Sequence, residues 1–197
     1  MTDPDLVIRS ERVLTAQGFI PAAVCVTNGV ITAILPIDAV IDAPSKTDVA
    51  TPDQAPTATA LRKVRLAWGG ISGLHVSLAA VWSAGLARGL GLEQVVEWMS
   101  AAPARFVGLA GHDGLAGKGA IAVGADADLV AFAPAEEFLV DAESLRHKNK
   151  VSAFDGALLV GRVHTTWLAG REVFSVYDDV AGRPTGALLM PEGGIRF

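Results

Sequence analysis

Lys118-Gly119-Ala120-Ile121-Ala122-Val123-Gly124-Ala125-Asp126-Ala127-Asp128-Leu129-Val130 is the stretch on which the reading of this chain turns. Residues 120–123 and 128–132 read as two apolar strands flanking a turn at Gly124-Ala125-Asp126-Ala127. Glycine suits the tight position, and the two aspartates are of the kind that bonds turn amides. Paired aspartates also suit a cation; bonding within the turn is the reading preferred here.

Downstream, residues 157–168 alternate loosely and end at Ala169-Gly170-Arg171, a turn before Glu172-Val173-Phe174; Phe138-Leu139-Val140 reads as a further short strand. Upstream, residues 76–90 are apolar nearly all round, the mark of a helix buried on more than one side. Leu92, Val95, Val96 and Met99 follow at amphipathic helical spacing, with Glu93 and Glu97 on the wet face. Pro103 suits the first turn of a short helix over 104–109. At the N-terminus, residues 5–36 are strand-like, and Asn28-Gly29 supplies the positive φ of a tight hairpin. Between these regions, Pro36, Pro44, Pro52 and Pro56 punctuate a stretch without period, read as a linker or irregular loop. The segments are therefore 1–36, strands; 37–63, linker; 64–117, glycine loop and helices; 118–176, strands; and 177–197, an irregular tail. Neither strand set covers its own apolar face, so the two are expected to share one core.

Composition narrows the function classes. The chain has 197 residues, 51% hydrophobic and 19% charged, with a net charge of −5, so it is neither disordered nor a nucleic-acid binder by charge. Cys25 is the only cysteine, which excludes an internal disulfide and fits a reducing, cytoplasmic setting. The acidic start, Met1-Thr2-Asp3-Pro4-Asp5, lacks a signal-peptide layout. Residues 66–87 carry no formal charge and are long enough to span a bilayer. Gly69, Gly70 and Gly73 at their start favour a buried loop and helix over a membrane span. No G-x-S-x-G elbow, phosphate-binding loop or dinucleotide fingerprint is present.

The opening motif, K-G-x-I-A-x-G-x-D-A-D-L-V, resembles the C-terminal signature of metal-dependent amidohydrolases, where the chain leaves a (β/α)8 barrel and re-enters a small β-domain. Ala67-Trp68-Gly69-Gly70-Ile71-Ser72-Gly73-Leu74 is similar to the glycine loop after the last barrel strand in the cyclic-amide hydrolases. His147-Lys148-Asn149-Lys150-Val151, Phe154-Asp155-Gly156 and Thr166-Trp167-Leu168-Ala169-Gly170-Arg171-Glu172-Val173 resemble the end of the allantoinases. The likeness covers 5–43 and about 49–175. It implies an α+β fold: a small β-sandwich-like domain from N- and C-terminal strands, plus a helical remnant of the barrel.

The same resemblance implies metal-assisted hydrolysis of a cyclic ureide, allantoin to allantoate, with zinc or another divalent metal. The family carries a His-x-His pair, a carbamate lysine and further histidines. Here His75, His112, His147 and His164 lie no closer than 17 residues, and the likeness jumps from the N-terminal strands to the loop after the last barrel strand. Most of the barrel is therefore expected to be missing, with the junction near 42–49. Asp53, in Pro52-Asp53-Gln54-Ala55-Pro56, lines up with the family's metal-binding, proton-moving aspartate, while Gln54 replaces its histidine neighbour. Gly69 and Gly70 line up with the backbone that meets the cyclic amide. Read without the family, Asp53 is a solvated loop residue, the glycines are turn residues, and His75, which could be a ligand, reads as a helix cap or core residue. One carboxylate does not hold a catalytic zinc, which takes three protein ligands and a water. The chain is thus expected to retain no metal and no activity alone. A non-catalytic oligomerisation or interaction module is the rival reading. The face of the 76–90 helix, deprived of barrel strands, is expected to be bare and to drive self-association.

Overall fold

In the computed structural model of the protein, residues 3–49, 72–111, 117–148, 150–177 and 186 are described. Strands β1 (Leu6–Thr15), β2 (Gly18–Thr27) and β3 (Val30–Pro36) form an antiparallel meander. Asn28 and Gly29 take φ of 51° and 79°, both left-handed, and Thr27 pairs with Val30 around them. This is the two-residue turn whose twist matches that of the flanking strands.

The β1–β2 register slips by one residue between Ser10 and Val13, opposite Pro21, which has no amide hydrogen to donate. Side chains alternate along a strand, so Val13 would otherwise share the side of Val7. The slip instead turns it to the side of Leu6 and Ile8, where it is buried with them.

A fourth strand, β4 (Ser45–Val49), pairs parallel to β1 from Leu6↔Ser45 to Ser10↔Val49 and completes the order β3-β2-β1-β4. It lies inside the stretch read from sequence as an irregular linker. Ser45-Lys46-Thr47-Asp48 has no apolar alternation; the strand owes its place to main-chain pairing at a sheet edge. The Arg9 guanidinium steers the chain toward that edge, donating to the carbonyls of Ile37 and, at 2.8 Å, Ala39.

The second sheet has the order β5 (Leu129–Leu139), β6 (Leu158–Leu168), β7 (Arg171–Ser175). Residues 120–123, expected as a strand, belong to none, and Phe138-Leu139 continue β5 rather than begin a new strand. Ala169 (φ 48°) and Gly170 (φ 72°) turn β6 into β7.

The terminal strand sets do share a core. Leu6, Ile8, Val13, Ala22, Val24, Val26 and Ile31 pack with Ala125, Ala127, Ala131 and Trp167. The opposite face of the first sheet buries Val7, Ala23 and Cys25. Covering both faces explains why 22–26 is an unbroken apolar run rather than an alternating one.

Gly73 leads into a 3-10 turn (Leu74–Val76) and α1 (Ser77–Leu86). Then come α2 (Leu92–Val96), a π-helical turn (Glu97–Ala101) and α3 (Ala102–Phe106), with Pro103 in its first turn. The α1 face expected to be bare is covered. Val76 and Ala79 pack with Val140, Leu145 and Leu159, and the buried Trp82 donates Nε1–H to the Pro134 carbonyl at 2.8 Å. Ser83 Oγ accepts the Val160 amide at 2.8 Å, so a helix side chain takes a hydrogen bond from a strand backbone. The expected Leu92–Met99 stripe is broken by the π turn, and Val95 is its one buried member.

The fold is α+β. Contacts divide it into two units, Met1–Thr51 with Val96–Ala131 and His164–Phe197, and Pro52–Val95 with Phe132–Val163. Among the described residues no helix is long and apolar enough to cross a membrane.

Candidate functional site

Asp53, Gly69 and Gly70, together with His112, lie outside the described residues. The geometry available is that of the signature stretch and of His75, His147 and His164.

The signature stretch runs between two hairpin turns. The Gly124 amide (φ 88°) donates to the Ile31 carbonyl at 2.7 Å, and the Ile31 amide donates to the Ala125 carbonyl at 2.8 Å. The Ala127 amide reaches the Gly29 carbonyl at 2.8 Å, and Gly170 donates to the Ala127 carbonyl at 2.9 Å. Ala125 and Ala127 are fully buried, so a larger side chain at either has nowhere to go. The turns themselves touch: a Cβ on Gly29 would stand 2.9 Å from Ala169 Cβ, and one on Gly170 would stand 2.8 Å from Val26 Cγ1.

Asp128 accepts the Ala169 amide at 2.9 Å and pairs with Lys118, which also reaches Asp126 at 2.9 Å. Burial pulls the Lys118 ammonium down. The hydrogen bonds and negative charge of Asp126 and Asp128 outweigh it, and the group titrates above its ordinary 10.5. Both aspartates are thus occupied by an internal cation. Asp128 bonds a turn amide as expected, but that of the distant β6–β7 turn. K-G and D-A-D form a clasp that joins the N-terminal sheet to the last hairpin.

Each of the three described histidines has its own setting. His75, in the 3-10 turn, accepts the Arg146 amide on Nδ1 at 3.2 Å. Partial burial, then the charges of Arg146, His147 and Lys150, push its pKa below 6.5. His75 ties the 145–147 segment to the 3-10 turn; no side chain caps that turn or α1, so the cap read from sequence is not what it forms. His147 buries Nε2 without a hydrogen-bond partner, and His164 Nδ1 lies 2.7 Å from the Tyr177 hydroxyl. Cys25 is buried in the sheet; that burial raises its thiol pKa, which Arg9 moderates.

A structural or catalytic zinc takes three or four ligands converging on one point. Among the described residues no three His, Cys, Asp or Glu side chains converge. Two of the imidazoles and both signature aspartates spend their donor atoms on internal bonds. These residues do not fit the family's metal, and no chemical step is derived through one.

Sequence reasoning missed Arg9, Ser83 and Gly161. Gly161 (φ 92°) admits Trp82 and Phe132 to within 2.4 Å of where a Cβ would be. A glycine inside an apolar strand run was the available signal, since it marks a close approach.

Residues 14–173 match the family model described as "Amidohydrolase family". The chain belongs to the amidohydrolase family. It is 44% identical over 158 residues to an allantoinase from Streptomyces avermitilis, covering 79% of this chain and 32% of that protein. It is 40% identical over 124 residues to a probable allantoinase 2 from Dictyostelium discoideum, covering 63% and 23%. Among solved structures, a D-hydantoinase (dihydropyrimidinase) from Thermus sp. matches with a TM-score of 0.52 and 28% identity, over 58% of this chain and 24% of that one. This amidohydrolase chain is allantoinase-like in sequence, and it spans a third or less of the length of these relatives.

Proposed function

We propose that this chain carries the β-domain and adjoining helices of an allantoinase-like amidohydrolase, with Leu74–Val76 and α1 to α3 as the remnant of the family barrel. The chemistry to which it belongs is opening of the cyclic amide of allantoin to allantoate with a divalent metal, zinc or another, in the cytoplasm. The substrate class is a small cyclic ureide, not nucleic acid. Asp53 stands as the vestige of the family's metal-binding aspartate, and Gly69 and Gly70 as the backbone facing the ring.

This chain alone does not turn over allantoin. Water becomes a sufficient nucleophile near neutral pH when a metal lowers its pKa, and the metal needs its ligands. One observation carries the reading: 44% identity over 79% of this chain reaches only 32% of an allantoinase. The test is an allantoate assay on the purified protein with zinc, manganese or cobalt, beside Asp53→Ala. No turnover is expected with any metal. Metal-dependent turnover that disappears in Asp53→Ala would overturn the reading.

A second reading, a non-catalytic self-association module, is favoured by two large side chains left in solvent, Trp98 at 48% and Phe106 at 91% exposure.

A further inference from the structure

Arg146-His147-Lys148-Asn149-Lys150 places four basic side chains within five residues of a chain whose net charge is −5. The run is fastened at both ends to the segment that enters α1. Leu145, just before it, is buried in one cluster with Val76 and Leu159. The Arg146 amide donates to His75 Nδ1 at 3.2 Å, and beyond the run Ser152 Oγ donates to the Ser72 carbonyl at 2.8 Å. The Leu145 carbonyl accepts both the His147 amide, at 3.0 Å, and the Lys150 ammonium. That shared acceptor folds the ammonium back onto the 145–147 turn, where the Arg146 amide holds the His75 ring. Like charges are thus gathered in one place: Arg146, His147 and Lys150 each push the His75 pKa down. Neither the 3-10 turn nor the first turn of α1 carries an acid to offset them. His147 adds an independent sign, since its Nε2 is enclosed without a hydrogen-bond partner. A buried polar atom left unpaired is rare in folded proteins and marks a partner that the chain itself does not supply. His75, Arg146 and Lys150 are exposed, so the cluster is open to a solute.

We propose that His75, Arg146, His147 and Lys150 form a binding site for a small oxyanion, a carboxylate or a phosphate. The chemistry of the cluster selects that ligand. A negative charge seated among these groups offsets their mutual repulsion, and its oxygens accept several charge-assisted hydrogen bonds at once. A divalent cation would be repelled by the same groups. All four residues belong to one of the two units, so the site is built within it. The proposal goes beyond the hydrolytic reading and does not depend on it, because binding is read without turnover.

Histidine-ring NMR of the whole chain tests it, with the signals assigned through His75→Gln and His147→Gln. Inorganic phosphate and allantoate are titrated in separate arms, at an ionic strength held constant with sodium chloride. At least one oxyanion is expected to shift the His75 and His147 signals saturably, with a Kd of about 1 mM or tighter. It is also expected to raise the His75 pKa, because negative charge nearby favours the imidazolium. Saturation by phosphate alone assigns the site to phosphate groups, and by allantoate alone to carboxylates. Lys150→Gln is expected to raise the Kd about 10-fold. Lys150→Arg, which keeps the charge, should stay within about 3-fold of wild type. Arg88→Gln, which removes one charge just past the other end of α1, leaves the Kd unchanged. Signals that saturate with neither oxyanion overturn the proposal. So does a site indifferent to Lys150→Gln, or one weakened as much by Arg88→Gln or Lys150→Arg.

Discussion

Gly161 offers the sharpest check on how α1 is seated. Its φ of 92° lies in the left-handed region, and an added Cβ would stand 2.4 Å from both Trp82 Cδ1 and Phe132 Cζ. Gly161→Ala therefore carries two costs. The backbone conformation costs an L-residue about 1–2 kcal/mol. Pushing two aromatic rings aside in a packed interior costs about 1–3 kcal/mol more, since Trp82 is also tied to the Pro134 carbonyl. The expected loss is about 2–5 kcal/mol, a large share of a domain's stability. Gly89 supplies the control: its φ is 73°, and nothing lies within 4 Å of an added Cβ. Gly89→Ala is expected to cost the backbone part alone, about 1–2 kcal/mol. Urea titrations followed by circular dichroism measure both. Equal losses in the two variants would refute the close packing of α1 on β6 at Gly161.

Two further expectations follow from the clasp and from His75. Asp128→Ala removes the acceptor of the Ala169 amide and a partner of Lys118, and should cost about 1–2 kcal/mol; Asp128→Asn, which keeps an oxygen for that amide, should recover about half. Equal losses in both would show that the charge on Lys118, not the turn amide, is what Asp128 serves. For His75, burial and neighbouring cations lower the folded pKa below 6.5, so in the window just below 6.5 the unfolded chain binds more protons. Stability should fall as pH drops through that window, down to the folded pKa, and His75→Gln should flatten the fall. A urea midpoint whose pH slope is unchanged in the variant would contradict this.

Local chemistry made much of the fold legible. Asn28-Gly29 and Gly170 suit positive φ, and each turn closes its hairpin where those residues stand. The runs around them are long and β-branched enough to declare β1 to β3 and β6. The K-G to D-L-V stretch declared the family, which residues 14–173 bear out. Non-local pairing stayed hidden. β4 has no apolar alternation because it is held by main-chain bonds to β1, and backbone pairing leaves little mark on side-chain type. The one-residue slip at Ser10–Val13 is invisible until Val13 has a core to face. Asp126 and Asp128 signalled a turn, yet their partners are Lys118 and a hairpin 41 residues on from Asp128. α1 was expected bare because the barrel strands it would pack on are missing; tertiary structure supplied Val140, Leu145 and Leu159 instead. Trp98 and Phe106, further along the helices, are among the large side chains left exposed. The sequence by itself thus determined the turns, the main strands and the family, since these depend on φ preferences and periodicities within a few residues. Tertiary structure alone decided which faces are covered and what the charges of the signature stretch hold, because burial and pairing are made between segments far apart in the chain.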